Sequence, residues 1–165
     1  MISNKLKQHL DEHHTKYVCI AHSPAYTAQE AAQSAHVRGA AFAKTVVVFG
    51  TEGRRWMAVL PATHKIEFQR LSRVLGNMDI RLASEAEFKG LFPDCEPGAM
   101  PPFGAIYGMP VLCDSSLGSH DEIVFNAGTH RDAIRMSLHD YMTLNRPEIA
   151  SFATPVHTDE LLAGA

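Results

Sequence analysis

Gly39-Ala40-Ala41-Phe42-Ala43-Lys44-Thr45-Val46-Val47-Val48-Phe49-Gly50, then Thr51-Glu52-Gly53-Arg54, then Arg55-Trp56-Met57-Ala58-Val59-Leu60, is the run that sets the fold class. Two β-branched and apolar segments, 45–50 and 55–60, flank a short turn containing glycine, which predicts an antiparallel hairpin. Lys44 stands at the entrance of the first segment. Its ammonium reads either as a guard on a sheet edge or as a grip for a phosphate or carboxylate.

Upstream, Ile2, Leu6 and Leu10 at i, i+4 spacing predict an amphipathic helix over 2–14, with Ser3 and Asn4 as caps. Residues 17–22 read as a strand stopped by Ser23-Pro24. Thr27-Ala28-Gln29-Glu30 has the capping-box pattern and opens a short alanine-rich helix towards His36. Downstream, the pattern predicts a helix over 65–75 closed by Gly76-Asn77 and a short strand at 80–82. Ser84 with Glu87 then forms a second capping box, opening a helix to Leu91. Residues 105–108, 110–114, 122–126 and 133–138 read as strands, followed by a helix over 139–144.

Short strands joined by turns, with helices between some of them, predict an α+β domain with a mixed, largely antiparallel sheet flanked by helices. A doubly wound parallel sheet lacks support, because no Gly-x-Gly-x-x-Gly fingerprint is present. Residues 1–150 are expected to form the single domain. Residues 151–165, poor in apolar periodicity, are expected to be a loosely ordered tail.

A chain of 165 residues buries roughly 68–70% of its unfolded surface, and 45% hydrophobic with 20% charged residues is ordinary for a soluble protein. No apolar run approaches the ~20 residues of a membrane helix, so a cytoplasmic location without a membrane partner is expected. Cys19, Cys95 and Cys113 form no CxxC pair and read as free thiols. The net charge of −3 argues against DNA and against a broad nucleic-acid surface, while leaving room to grip one terminal nucleotide.

Three features carry chemistry besides Lys44. The loop Pro97-Gly98-Ala99-Met100-Pro101-Pro102-Phe103-Gly104 is stiffened by prolines, and its glycines permit close approach of a ligand to the backbone. Phe125-Asn126-Ala127-Gly128-Thr129-His130 ends an apolar strand on polar groups, where His130 reads as a surface histidine or as one that orients a water. His9 and His13, at i, i+4, have a metal-ligand spacing. Without a glutamate to complete an HExxH pattern, no metal is expected. No Gly-x-Ser-x-Gly elbow offers a serine nucleophile, and Ser115-Ser116 reads as a turn.

Lys44-Thr45-Val46-Val47-Val48 after a short helix, Gly98-x-x-x-Pro102, and the 125–130 strand end together resemble the YbaK/ProX aminoacyl-tRNA deacylase family. His22-Ser23-Pro24 and Thr27-Ala28-Gln29-Glu30 belong to the same resemblance, which runs over about 17–147. It implies a free-standing editing domain related to the one inserted in bacterial prolyl-tRNA synthetases. Such a domain hydrolyses the ester of a mischarged aminoacyl-tRNA without a cofactor.

By position, Lys44 matches the family's essential lysine, holding the 3′ end, and Gly98 and Pro102 match the loop lining the aminoacyl pocket. The resemblance thus implies catalytic roles for Lys44 and His130. It implies substrate contacts from His22, Tyr26 and Thr45, from Gly98, Ala99, Met100, Pro101, Pro102, Phe103 and Gly104, and from Asn126, Gly128 and Thr129. An aminoacyl ester is already activated, so positioning, polarisation of its carbonyl by N–H groups and access of a water suffice. A neighbouring ribose 2′-hydroxyl is a natural helper for that water.

Thr45 stands where some alanine-specific relatives carry asparagine, and Ala133 where the cysteinyl-tRNA branch has aspartate. Met100, Pro101 and Phe103 narrow the expected pocket towards a small uncharged amino acid. The competing reading is a module that binds an aminoacyl or nucleotide ligand without turnover. Whether a synthetase delivers the tRNA, and whether the protein is a monomer or a homodimer, stay open at this level.

Overall fold

The computed structural model describes residues 2–156. In chain order its elements are α1 (Asn4–Glu12), β1 (Tyr17–Ala21), α2 (Ala28–Ser34), β2 (Phe42–Phe49), β3 (Arg55–Pro61) and β4 (His64–Ile66). They continue with α3 (Phe68–Val74), β5 (Arg81–Leu82), α4 (Glu85–Leu91), β6 (Val111–Asp114) and β7 (Glu122–Asn126). The described chain ends with β8 (Asp132–Ser137), α5 (Leu138–Asn145), β9 (Glu148–Ala150) and β10 (Ala153–Pro155).

The predicted hairpin is the centre of the sheet. Strands β2 and β3 pair antiparallel from Ala43↔Pro61 to Phe49↔Arg55, and the sheet runs β1-β8-β7-β2-β3-β6-β9, with β5 also on β2. The β1–β8, β7–β8 and β2–β5 ladders are antiparallel, whereas β2–β7, β3–β6 and β6–β9 are parallel. The domain is therefore α+β with a mixed, mostly antiparallel sheet.

Alternation along β2 sorts its residues between two layers. Ala43 and Val47 enter the main core with Leu6 and Leu10 of α1, Phe103, Phe125 and Tyr141. Phe42, on the other face, packs under α2 in a cluster rich in small residues, among them Ala25, Ala31, Ala32, Ala62 and Ala133. Val48 joins a third cluster with Leu60, Leu71 of α3 and Phe152. One face of the sheet thus carries the main core, and the opposite face is shared between α2 and α3. Each fully buried phenylalanine contributes roughly 1.5–3 kcal/mol through burial.

The helix starts follow the caps in the sequence. Thr27 Oγ1 accepts the amide of Glu30 at 3.1 Å, and Ser84 and Glu87 form a complete capping box. At α1, Ser3 accepts from Leu6 N and donates to Asp94.

Four expectations are corrected. Residues 105–108 are not a strand: Gly104–Tyr107 is a 3-10 turn, closed by Met109 N donating to Gly104 O at 3.0 Å and by Gly108 at φ 67°. The predicted helix over 65–75 begins later, because residues 64–66 are drawn into pairing with β10, Ile66↔Ala153. Residues 151–156 are not a loose tail: Phe152 is fully buried, and Asp114 accepts the amides of Phe152 and Ala153, each at 2.9 Å. The rest of that expected tail, 157–165, lies outside the described residues. Finally, Lys44 is on no outer edge strand: it is the third residue of an interior strand, paired with Leu60 on the β3 side and lying, on the other side, at the gap between the β7 and β5 ladders.

Candidate active site

The parallel ladder between β2 and β7 has two rungs, Phe42↔Val124 and Ala43↔Phe125. One residue further on each strand come Lys44 and Asn126, abreast of one another, and there the strands part. Beyond the gap β2 regains a partner at Val48↔Leu82 in β5. Because residues on aligned rungs project to the same face, Lys44 and Asn126 share the face of Phe42 and Val124, between the α2 and α3 clusters.

Both residues are electrostatically unfinished. Lys44 is half-buried, burial pushes its ammonium below the ordinary lysine value, and no ion pair or hydrogen bond holds it among the described residues. Asn126 is 9% exposed, and its Oδ1 is buried without a hydrogen-bond partner. A buried unpaired acceptor near a half-buried unpaired cation is costly. Such a pair is suited to a ligand carrying both an anionic or carbonyl oxygen and a donor.

Three segments close this end of β7. Gly128 N donates to Ala99 O at 2.8 Å, Glu96 N donates to Gly128 O at 2.8 Å, and Ala25 N donates to His130 O at 3.0 Å. His130 lies at their junction, with Nδ1 3.0 Å from Ala25 O, Nε2 2.7 Å from Pro97 O, and the Tyr26 ring 4.9 Å away. A backbone carbonyl lies against each ring nitrogen, so both nitrogens of His130 face protein. These contacts let His130 clamp the segments at Ala25 and Pro97 to the end of β7. Gly98 beside it has φ +83°, the left-handed region that favours glycine.

The other expected contacts divide. Tyr26 is 74% exposed at the rim. His22 is joined to the turn by its N–H to Arg131 O, and its Nε2 is buried without a partner. Thr129 Oγ1 is committed within the turn, donating to Asp132 Oδ2 at 2.6 Å. Strand alternation sends Thr45 to the face opposite Lys44. Ala99, Met100, Pro101, Pro102, Phe103 and Gly104 are buried. Met100 and Phe103 are packed in the main core, and Tyr141 Oη donates to Pro102 O at 2.8 Å. Much of the loop therefore anchors the site from below.

His64 was not anticipated. Burial pushes its imidazole down, Asp114 opposes that, and the charge of Lys44 adds to it, so His64 lies within the electrostatic reach of both. Its Nδ1 is 2.9 Å from Thr63 Oγ1. The signal was a Thr-His pair just past the strand facing Lys44, which nothing local distinguishes from a loop. Asp114, one strand beyond Leu60, is saturated by the amides of Ser116, Phe152 and Ala153 and the Ser116 hydroxyl.

Burial pushes the Cys95 thiol up to about 11 and that of Cys113 up to about 12, away from the thiolate a nucleophile needs. The rings of His9 and His13 lie 4.5 Å apart, and His13 Nδ1 is 2.8 Å from the carbonyl of His9.

Residues 22–144 match the aminoacyl-tRNA editing domain family, and the chain belongs to that family. A multifunctional Ser/Thr-tRNA deacylase of Escherichia coli (strain K12), ProXp-y, is 32% identical over 97 residues, covering 58% of each chain. The chain thus spans little more than half the length of that relative. Two solved structures share the fold. A hypothetical protein, APE2540, superposes with a TM-score of 0.82 at 18% identity, over 92% of this chain and 100% of the other. A proposed trans-editing enzyme for prolyl-tRNA synthetase gives 0.79 at 22%, over 92% and 96%.

Proposed function

We propose that this protein hydrolyses the ester linking a mismatched amino acid to the 3′ end of a tRNA, acting on the charged tRNA after its release. The observation that carries the reading is the unpaired Lys44 ammonium beside the unpaired Asn126 Oδ1 at the parting of β2 and β7. The cation anchors the 3′-terminal phosphate or ester, and the amide meets the aminoacyl group. A water adds to the ester carbonyl, and the tetrahedral intermediate expels the ribose 3′-oxygen, which leaves as the hydroxyl. Stabilising such an oxyanion with one preorganised donor is worth roughly 10²–10³ in rate.

Serine and threonine are the amino acids we propose first. The related deacylase acts on their tRNAs by its name, and both are small and uncharged. The test is deacylation of a panel of mischarged tRNAs by wild type and Lys44→Ala. No cleavage above the buffer rate, or an unimpaired Lys44→Ala, ends the catalytic reading.

One observation favours the binding-only alternative: the ring nitrogens of His130 and the oxygens of Asp114 are already engaged. Ligand-dependent thermal stabilisation without turnover would select it.

A further inference from the structure

The net charge of −3 conceals a sharp division. Residues 38–81 hold eight of the fifteen lysines and arginines but three of the eighteen acids. This stretch is also continuous in space, forming β2, β3, β4 and α3.

Ion pairs hold some of the other cations: Lys7 pairs with Asp11 at 2.7 Å, Lys89 with Glu85 at 3.4 Å, Arg135 with Glu122 at 3.5 Å and, within the stretch, Arg81 with Glu87 at 2.7 Å. On α3 the pattern changes. Arg70 and Arg73 are exposed, one helical turn apart, and neither has an ion-pair partner among the described residues. The helix dipole accounts for a cation in the last turn, where Arg73 lies, but not for Arg70.

The surface beside them is shaped and partly aromatic. Open depressions of about 380 and 350 Å³ flank α3 and share Arg73 in their walls. Phe68, at the start of the helix, is 42% exposed. α3 also adjoins the candidate site, because its buried Leu71 packs in the cluster of Leu60, the residue paired with Lys44 across the β2–β3 ladder.

We propose that α3 is the docking surface for the phosphate backbone of the tRNA acceptor arm, leading it to Lys44. This rests on the reading of aminoacyl-tRNA as substrate. Unpaired arginines exchange condensed counterions for phosphates, which gives affinity without sequence preference. An exposed ring among them suits the unpaired bases at a tRNA 3′ end. The overall acidity repels the rest of the polyanion and leaves this face as the favoured approach.

The test compares wild type with the double variant Arg70→Glu/Arg73→Glu on two esters: a mischarged full-length tRNA and the corresponding aminoacyl-adenosine, which lacks the acceptor arm. The expected result is a fall in kcat/KM of about thirtyfold or more on tRNA, with the small ester unchanged within about twofold. Binding of uncharged tRNA is measured alongside, and its log–log salt slope should flatten by about 1.5 as two phosphate contacts are lost. Unchanged tRNA affinity and salt slope would overturn the proposal. So would an equal loss on both esters, which places the effect in the site or the fold. If wild type cleaves neither ester, the deacylase reading fails, and the salt slope still decides whether α3 binds RNA. Arg135→Glu, far from α3 in sequence and paired with Glu122, is the control and should leave tRNA binding unchanged.

Discussion

Lys44 and Asn126 are the first residues past the last rung of the β2–β7 ladder, and each brings an unsatisfied polar group to the gap that opens there. The pairing arises from backbone register alone. Two strands distant in sequence run parallel for two rungs and then part, and the residues at the point of parting form the candidate site.

Burial gives Lys44 a signature in stability as well as in activity. Its folded pKa is below the ordinary value near 10.5, so between those two values the unfolded chain binds more protons and stability rises with pH. Lys44→Met should lose that rise. Denaturation midpoints from pH 7 to 10.5 should therefore show the variant's advantage shrinking as the wild-type lysine discharges. A constant difference across the range would contradict a depressed pKa.

Asn126→Leu should separate folding from activity. No hydrogen bond to Oδ1 is lost, so stability should change by less than about 1 kcal/mol or improve. Deacylation should fall by about tenfold or more. Urea denaturation and single-turnover deacylation on the same preparation check both halves.

The two glycines bounding the loop should respond differently to alanine. At Gly98 the added Cβ meets His130 Cε1 at an ordinary 3.7 Å, so the cost is mainly the positive φ, about 1 kcal/mol. At Gly104 the Cβ would lie 2.1 Å from the carbonyl of Met109 and 2.6 Å from Val111 Cγ2, so overpacking should cost about 3 kcal/mol or more. Thermal denaturation should rank them in that order.

His130→Phe tests the clamp. Losing the contacts to Ala25 O and Pro97 O leaves two loops less firmly held, and a cost of about 1–3 kcal/mol follows from the stranded carbonyls. KM should rise more than kcat falls. A kcat loss of about a thousandfold at unchanged KM would instead restore His130 to the chemical step.

Phe152→Ala should cost about 3–5 kcal/mol, as for a buried core aromatic. Truncation before residue 151 should be worse, since it also strips two amide donors from the buried Asp114. Near-native thermal stability of either variant would show that the segment is dispensable.

The legible parts of this fold were the local ones. The β2–β3 hairpin and the caps at Thr27 and Ser84 depend on neighbours in sequence, and each was readable there. The β4–β10 pair was not, because Ile66 and Ala153 find each other only after the sheet has formed. For the same reason Lys44 was identifiable while its neighbour His64 was not, and His130 was singled out without the two carbonyls that occupy it. The basic stretch from 38 to 81 was visible in principle, but a net charge summed over the whole chain averages it away.

The alanines at 25, 31, 32, 62 and 133 set how closely α2 lies on the sheet beside Lys44. Alanine codons are one base change from valine, threonine and serine, so each position is one mutational step from a slightly thicker contact. Any such step thickens the contact beneath α2, while the main core on the far face is a separate cluster. One methylene in a pocket discriminates substrates by roughly 1–3 kcal/mol. Under the deacylase reading proposed above, single steps of this kind would shift the amino-acid preference while leaving the main core intact.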